Sequence, residues 1–151
     1  MNILVLNAGS SSLKFEIIND SWQRLARGEV ERIGDHANLS IQSPTGETKH
    51  VAEPVPDARA AVDLVLRKAV PERESIHAAG HRVVHGGDRF RDSALITPEV
   101  LDDIRDCIEL APLHNPANIR GIEAVQSVLG ASVPQVAVFD TSFHQQLPEY
   151  A

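Results

Sequence analysis

The sequence predicts an α/β protein built on a mixed sheet with helices packed on its faces. Two observations predict it. The first third reads as short apolar strands separated by turn residues, and the remainder alternates helical and strand-like patterns. Strands followed by αβ units combine antiparallel and parallel pairing in one sheet. A third observation makes one core feasible: 151 residues, 42% hydrophobic and 23% charged, suit a single domain of ordinary composition.

Each element has a local reason. Residues 2–6 form a branched apolar run ending in the turn signal Asn7-Ala8-Gly9-Ser10-Ser11. Leu13, Phe15 and Ile17 then alternate with Lys14 and Glu16, the period of a half-buried strand, so the two runs make a hairpin. Trp22 follows the next turn and is expected to pack on that hairpin. Residues 25–30, 39–42 and 48–52 are further extended candidates, the last two divided by Pro44-Thr45-Gly46. Asp57 is placed to cap a helix running to about residue 70, with Ala61, Leu64, Val65 and Ala69 on one face and Pro71 as its stop. Residues 76–84 return to strand character and break at Gly86-Gly87. Thr97-Pro98 and Asn115-Pro116 each pair a capping residue with proline in the first helical position. The first helix carries Leu101, Ile104 and Ile108, with Cys107 as a small core hydrophobe; the second carries Ile119, Ile122, Val125 and Leu129. Residues 135–139 are a final buried strand ending at Asp140, and residues 146–151 add no closing element, which leads us to expect a longer natural protein.

Charge and cysteine content narrow the function classes. A formal net charge of −7 argues against nucleic-acid and anionic-membrane partners, which require a basic stripe. A lone cysteine forbids an internal disulfide and fits a cytoplasmic location. No apolar run is long enough for a transmembrane helix, and the start lacks the basic region of a signal peptide. His36, His50 and His77 have no metal-ligand spacing, so no histidine cluster is expected to bind a metal.

Four segments combine residues that can do chemistry. In Asn7 to Lys14, Gly9 permits positive φ, so the turn is either an anion nest with serine hydroxyls and the Lys14 ammonium, or a polar hairpin turn. It lacks the Walker A spacing. In Gly80-His81-Arg82-Val83-Val84-His85-Gly86-Gly87, an arginine inside an apolar strand calls for an anionic partner. That partner is either a structural acid or a small carboxylate held on the guanidinium fork, with its alkyl end on Val84 two residues along the same face. In Leu113-His114-Asn115-Pro116, His114 precedes a helix start, where it either meets a phosphoryl oxygen or caps its own turn. In Phe139-Asp140-Thr141-Ser142-Phe143-His144, an aspartate at the carboxyl end of a buried strand either serves a ligand or metal, or caps a turn.

Taken together, in this order and spacing, these four segments resemble the N-terminal half of the acetate kinase family across essentially the whole chain. The resemblance implies a ribonuclease-H-like fold of the actin-like ATPase superfamily, with ATP between two halves. It implies interconversion of acetate plus ATP with acetyl phosphate plus ADP, using Mg2+; propionate and butyrate kinases of the same family and a non-catalytic anion-binding module are the alternatives. On this chain, Asn7 resembles a metal-site residue, and Ser10, Ser12 and Lys14 line the phosphate side. Arg82 resembles the carboxylate ligand, with Val84 and Leu113 around the methyl group. His114 resembles the stabiliser of the transferring phosphoryl group, and Asp140 the active-site carboxylate. Ser142 stands where the family usually has alanine, before the segment's closing His144. The resemblance also implies a homodimer for the full-length protein and leaves the nucleotide-binding half beyond Ala151. Acetate is already ionised at neutral pH, so Asp140 is assigned a metal or orienting role rather than that of a base.

Overall fold

The computed structural model describes residues 1–70, 76–83, 93–106 and 115–139. The strands are β1 (Asn2–Ala8), β2 (Leu13–Asn19), β3 (Arg24–Glu31), β4 (Asp35–Gln42), β5 (Thr48–Val55), β6 (Ile76–Val83), β7 (Ala94–Leu95) and β8 (Gln135–Phe139). The helices are α1 (Ala58–Ala69), α2 (Pro98–Asp106) and α3 (Asn115–Leu129). Among the described residues all the strands join one sheet in the order β5-β4-β3-β2-β1-β6-β8-β7. β1 to β5 form an antiparallel meander, β1 pairs parallel with β6, and β6 parallel with β8. The mixed sheet is therefore as expected.

The sheet faces differ because side chains alternate along each strand. Leu4, Leu6, Leu13, Phe15 and Ile17 are buried together with Leu64, Val65 and Leu66 of α1 and Ala124 and Val125 of α3. A second cluster joins Val83 and Ala137 of the parallel strands to Ile104 of α2 and Ile119 and Ile122 of α3. Asp57 caps α1 as its position suggests, its carboxylate accepting from the Ala60 amide at 2.9 Å. The Thr97 hydroxyl accepts from the Val100 amide at 3.2 Å and opens α2.

Three local expectations change. β4 begins at Asp35, four residues before the apolar run, because Gly34 at φ +105 turns the chain and the early residues of β4 find partners in β5. The two-residue β7 was too short to leave a periodic signal, and it pairs antiparallel with β8. Trp22 does not pack on the hairpin: it is 83% exposed at φ +63. The turn is held instead by the Asn19 side chain, which accepts from the amides of Ser21 and Gln23. The expected stop at Pro71 and the reading of Cys107 lie outside the described residues.

Candidate active site

The end of β1 and the start of β2 bring the first residues together. Asn7 is directly opposite Lys14 in the antiparallel ladder. On the other side of β1, Leu6 is in register with His81 of β6, so Arg82 follows where Asn7 follows. Leu13 and Phe15 are buried among the helices, which sends Lys14 to the opposite, open face. Asn7, Lys14 and Arg82 consequently line one concave surface of about 550 Å³, together with Glu16, Arg27 and Glu29. Lys14 has no ion-pair partner among the described residues, whereas Arg27 donates to Gln42 Oε1 at 2.6 Å and Glu16 faces Arg24 at 3.4 Å. The cavity thus carries three cationic side chains, Lys14, Arg27 and Arg82, beside the carboxylates of Glu16 and Glu29, in a chain whose net charge is −7. Such a spot can hold an anion that the rest of the surface repels.

The serines fall elsewhere. Ser10 and Ser12, at the tip of the same turn, line a smaller depression of about 260 Å³ with Arg120 of α3 and Asp57. The turn itself corrects one expectation. Gly9 does not adopt positive φ; the positive-φ glycines among the described residues are Gly34, Gly46 and Gly130. Its amide donates to the Ser12 carbonyl at 2.9 Å, so it is not available as part of an anion nest. Glycine is suited there for a steric reason: a Cβ would come within 2.9 Å of the Ser12 hydroxyl.

Arg82 is exposed on the cavity side of β6 and is not enclosed in the sheet. Its neighbour His81, pointing to the helical face, is only 3% exposed. Gln135 of β8 donates through Nε2 to the Ile122 carbonyl at 3.3 Å, which leaves its Oε1 to accept from His81 Nε2–H at 2.5 Å. Burial pushes the His81 pKa down to about 4, against a smaller opposite effect of the Gln135 hydrogen bond, so the ring is neutral at physiological pH. A second buried amide, Asn118, donates to the carbonyl of Ala8 at 3.2 Å and ties α3 to the end of β1. Sequence reasoning singled out neither Gln135 nor Asn118, and quoted His81 without a role. The available signal was a polar residue in a buried periodic position on a strand or helix.

Val84, Leu113, His114, Asp140 and His144 lie outside the described residues, as does Ser142. Among the described residues no group of three or more His, Cys, Asp or Glu side chains is arranged to hold a metal. Asn7, half-buried in the cavity wall, offers one amide oxygen. That suits a hard cation which keeps most of its ligands as water and phosphate oxygens.

Comparison with known proteins places this geometry in a family. The chain is 52% identical to an acetate kinase from Solibacter usitatus, the match covering all of this chain and 41% of that protein. A crystal structure of Porphyromonas gingivalis acetate kinase superposes with a TM-score of 0.89 at 41% identity, covering 99% of this chain and 40% of that one. A propionate kinase from Francisella tularensis gives 0.84 at 42% identity over 99% and 39% of the two chains. The chain therefore spans about 40% of the length of the relatives it matches. Its fold is that of the actin-like ATPase superfamily, as the resemblance implied. No helix among the described residues is long and apolar enough to cross a membrane. With the family model matched over residues 2–151, the chain belongs to the acetokinase family.

Proposed function

We propose that this chain is the acid-binding half of a carboxylate kinase that moves the γ-phosphoryl group of ATP to acetate. The observation that supports it most is the shared cavity: the guanidinium of Arg82 and the ammonium of Lys14 open onto one concave surface beside Asn7. Acetate and a nucleotide γ-phosphate are both anions, so their approach is opposed until fixed cations offset it. In-line phosphoryl transfer needs little covalent chemistry from the protein; positioning and charge stabilisation supply most of the rate. Arg82 fixes the nucleophile through its fork of N–H donors, and Lys14 balances charge on phosphoryl oxygens. His114 is assigned to the transferring group, with Val84 and Leu113 around the methyl of the acid. Asp140 is assigned an orienting or metal-holding role; Ser10 and Ser12, which line the separate depression with Arg120, are assigned to the phosphate side by the family resemblance alone. Asn7 would contribute an oxygen ligand to Mg2+, which when bound neutralises phosphate charge. The acceptor loses no proton, so no general base is required.

Propionate is the second reading, favoured by the likeness to the propionate kinase. One methylene changes discrimination by only about 1–3 kcal/mol, so the two acids are separated by measuring both. The full-length protein is proposed to be a cytoplasmic homodimer whose other half holds the nucleotide.

Calorimetric titration of the chain with acetate and then propionate tests the acid-binding role. Saturable binding that is lost in Arg82→Ala supports the reading; equal heats for the parent and Arg82→Ala chains overturn it.

A further inference from the structure

One buried polar chain connects three elements, of which β6 reaches the cavity and the other two adjoin predicted site residues in sequence. β6 carries Arg82, β8 runs up to Phe139 directly before Asp140, and α3 begins at Asn115 directly after His114. His81 of β6, Gln135 of β8 and the Ile122 carbonyl of α3 are joined by two consecutive hydrogen bonds, of 2.5 Å and 3.3 Å. His81 is 3% and Gln135 7% exposed, so neither can exchange its partner for water.

We infer that His81 and Gln135 act as a positioning pair, setting how Arg82 is presented to the cavity from the opposite face of the sheet. His81 and Arg82 are consecutive, so their side chains leave opposite faces of one backbone segment. Anchoring the His81 ring therefore fixes the rotation of that segment about its own axis, and with it the direction in which Arg82 leaves. The ladders to β1 and β8 hold the backbone of β6 in register, but the side chains around the tie add little to fix its twist. Gly80 has open space where a side chain would be, and Ala79 and Ala137 are small residues near the tie. Apolar packing there resists separation of the strands but is non-directional. A hydrogen bond between a planar ring and a planar amide is directional, and the second bond to the Ile122 carbonyl fixes the amide in turn. β6 is thereby aligned with β8 and α3 together, which are the elements adjoining Asp140 and His114.

The inference rests on the acid-binding reading of Arg82, so its test has one readout that uses acetate and one that does not. The variants are Gln135→Leu and the double variant His81→Leu with Gln135→Leu. The double variant replaces both side-chain partners by apolar groups, and the Ile122 carbonyl keeps its place in the α3 helical ladder, so it folds where the single variant fails. Val62→Ala, a core change on α1, whose main sheet contacts are with β3 and β5, controls for loss of stability alone. Acetate titration of the 151-residue chain is expected to show affinity reduced about tenfold or more in the double variant and unchanged in Val62→Ala. Amide hydrogen exchange is expected to accelerate about tenfold at Arg82 and Val83 relative to Phe15 and Ile17 in β2. Parent-like exchange at Arg82 and Val83 in the double variant overturns the inference, as does acceleration spread evenly over the sheet. Acetate affinity retained within twofold in the double variant also overturns it. If the parent chain binds no acetate while the local acceleration is seen, the carboxylate reading falls and the positioning pair stands.

Discussion

Asn7 and Lys14 face one another across the first hairpin, and both line the cavity that Arg82 enters from β6. Three residues separated by up to 75 positions in sequence are brought to one surface because β1 is the central strand shared by the hairpin and the parallel pair. What each contributes can be separated by experiment.

Arg82 is expected to dominate acid recognition. In a full-length protein carrying this half, Arg82→Ala should lower kcat/KM for acetate by about 100-fold or more, with Lys a poor replacement because it lacks the planar fork. Steady-state kinetics over a range of acetate concentrations checks this; near-parent values would remove Arg82 from the site.

The chain by itself should make no acetyl phosphate. With ATP, Mg2+ and acetate, trapping with hydroxylamine is expected to yield no acetyl hydroxamate above a protein-free blank. Product formed in proportion to added chain would contradict the assignment of the nucleotide site to the other half.

Gly28 is required by the β3–β4 ladder. A Cβ at this position would sit 1.9 Å from the Ser40 carbonyl oxygen, a backbone atom, and 3.0 Å from the Phe15 ring. Gly28→Ala should therefore destabilise the chain by about 3 kcal/mol or more, beyond the usual range for overpacking, because the strands themselves must separate. Urea denaturation measures it, and a loss under about 1 kcal/mol would show that the two strands are not so closely apposed.

His81 makes stability depend on acidity. The unfolded ring takes up a proton below about pH 6.5, while burial holds the folded ring neutral down to about 4. Its contribution is complete above pH 6.5 and is lost as pH falls from there to about 4, because the unfolded state binds the extra proton. The full window corresponds to about 3 kcal/mol. Denaturation at a series of pH values should show a slope near one proton in this range for the parent chain, absent from the His81→Leu, Gln135→Leu double variant.

Asp57→Ala should cost about 1 kcal/mol by removing the acceptor for the Ala60 amide at the start of α1. Thermal melting checks it, and Asp57→Ser or Asp57→Asn should recover most of the loss.

Much of this molecule was written into local sequence. Alternating Leu13, Phe15 and Ile17 determine which face of β2 is buried, and hence that Lys14 meets solvent, because side chains on a strand can only alternate. Asp57, Thr97 and Pro98 place two helix starts through the unsatisfied amides that any helix start presents. The family itself was legible, since four segments in register are a pattern of order and spacing and need no coordinates. Only the tertiary structure decided the remainder. It separated Ser10 and Ser12 from Lys14 into different depressions, since the direction of a turn depends on how its flanking strands and α3 pack. It gave Gly9 a steric role in place of a conformational one, and it turned Trp22 outward because the Asn19 side chain dictates that turn. It alone joined His81 to Gln135, 54 residues apart. Sequence carries the periodicity and the caps because these are short-range; which buried polar groups meet is settled by long-range packing, which no local window contains.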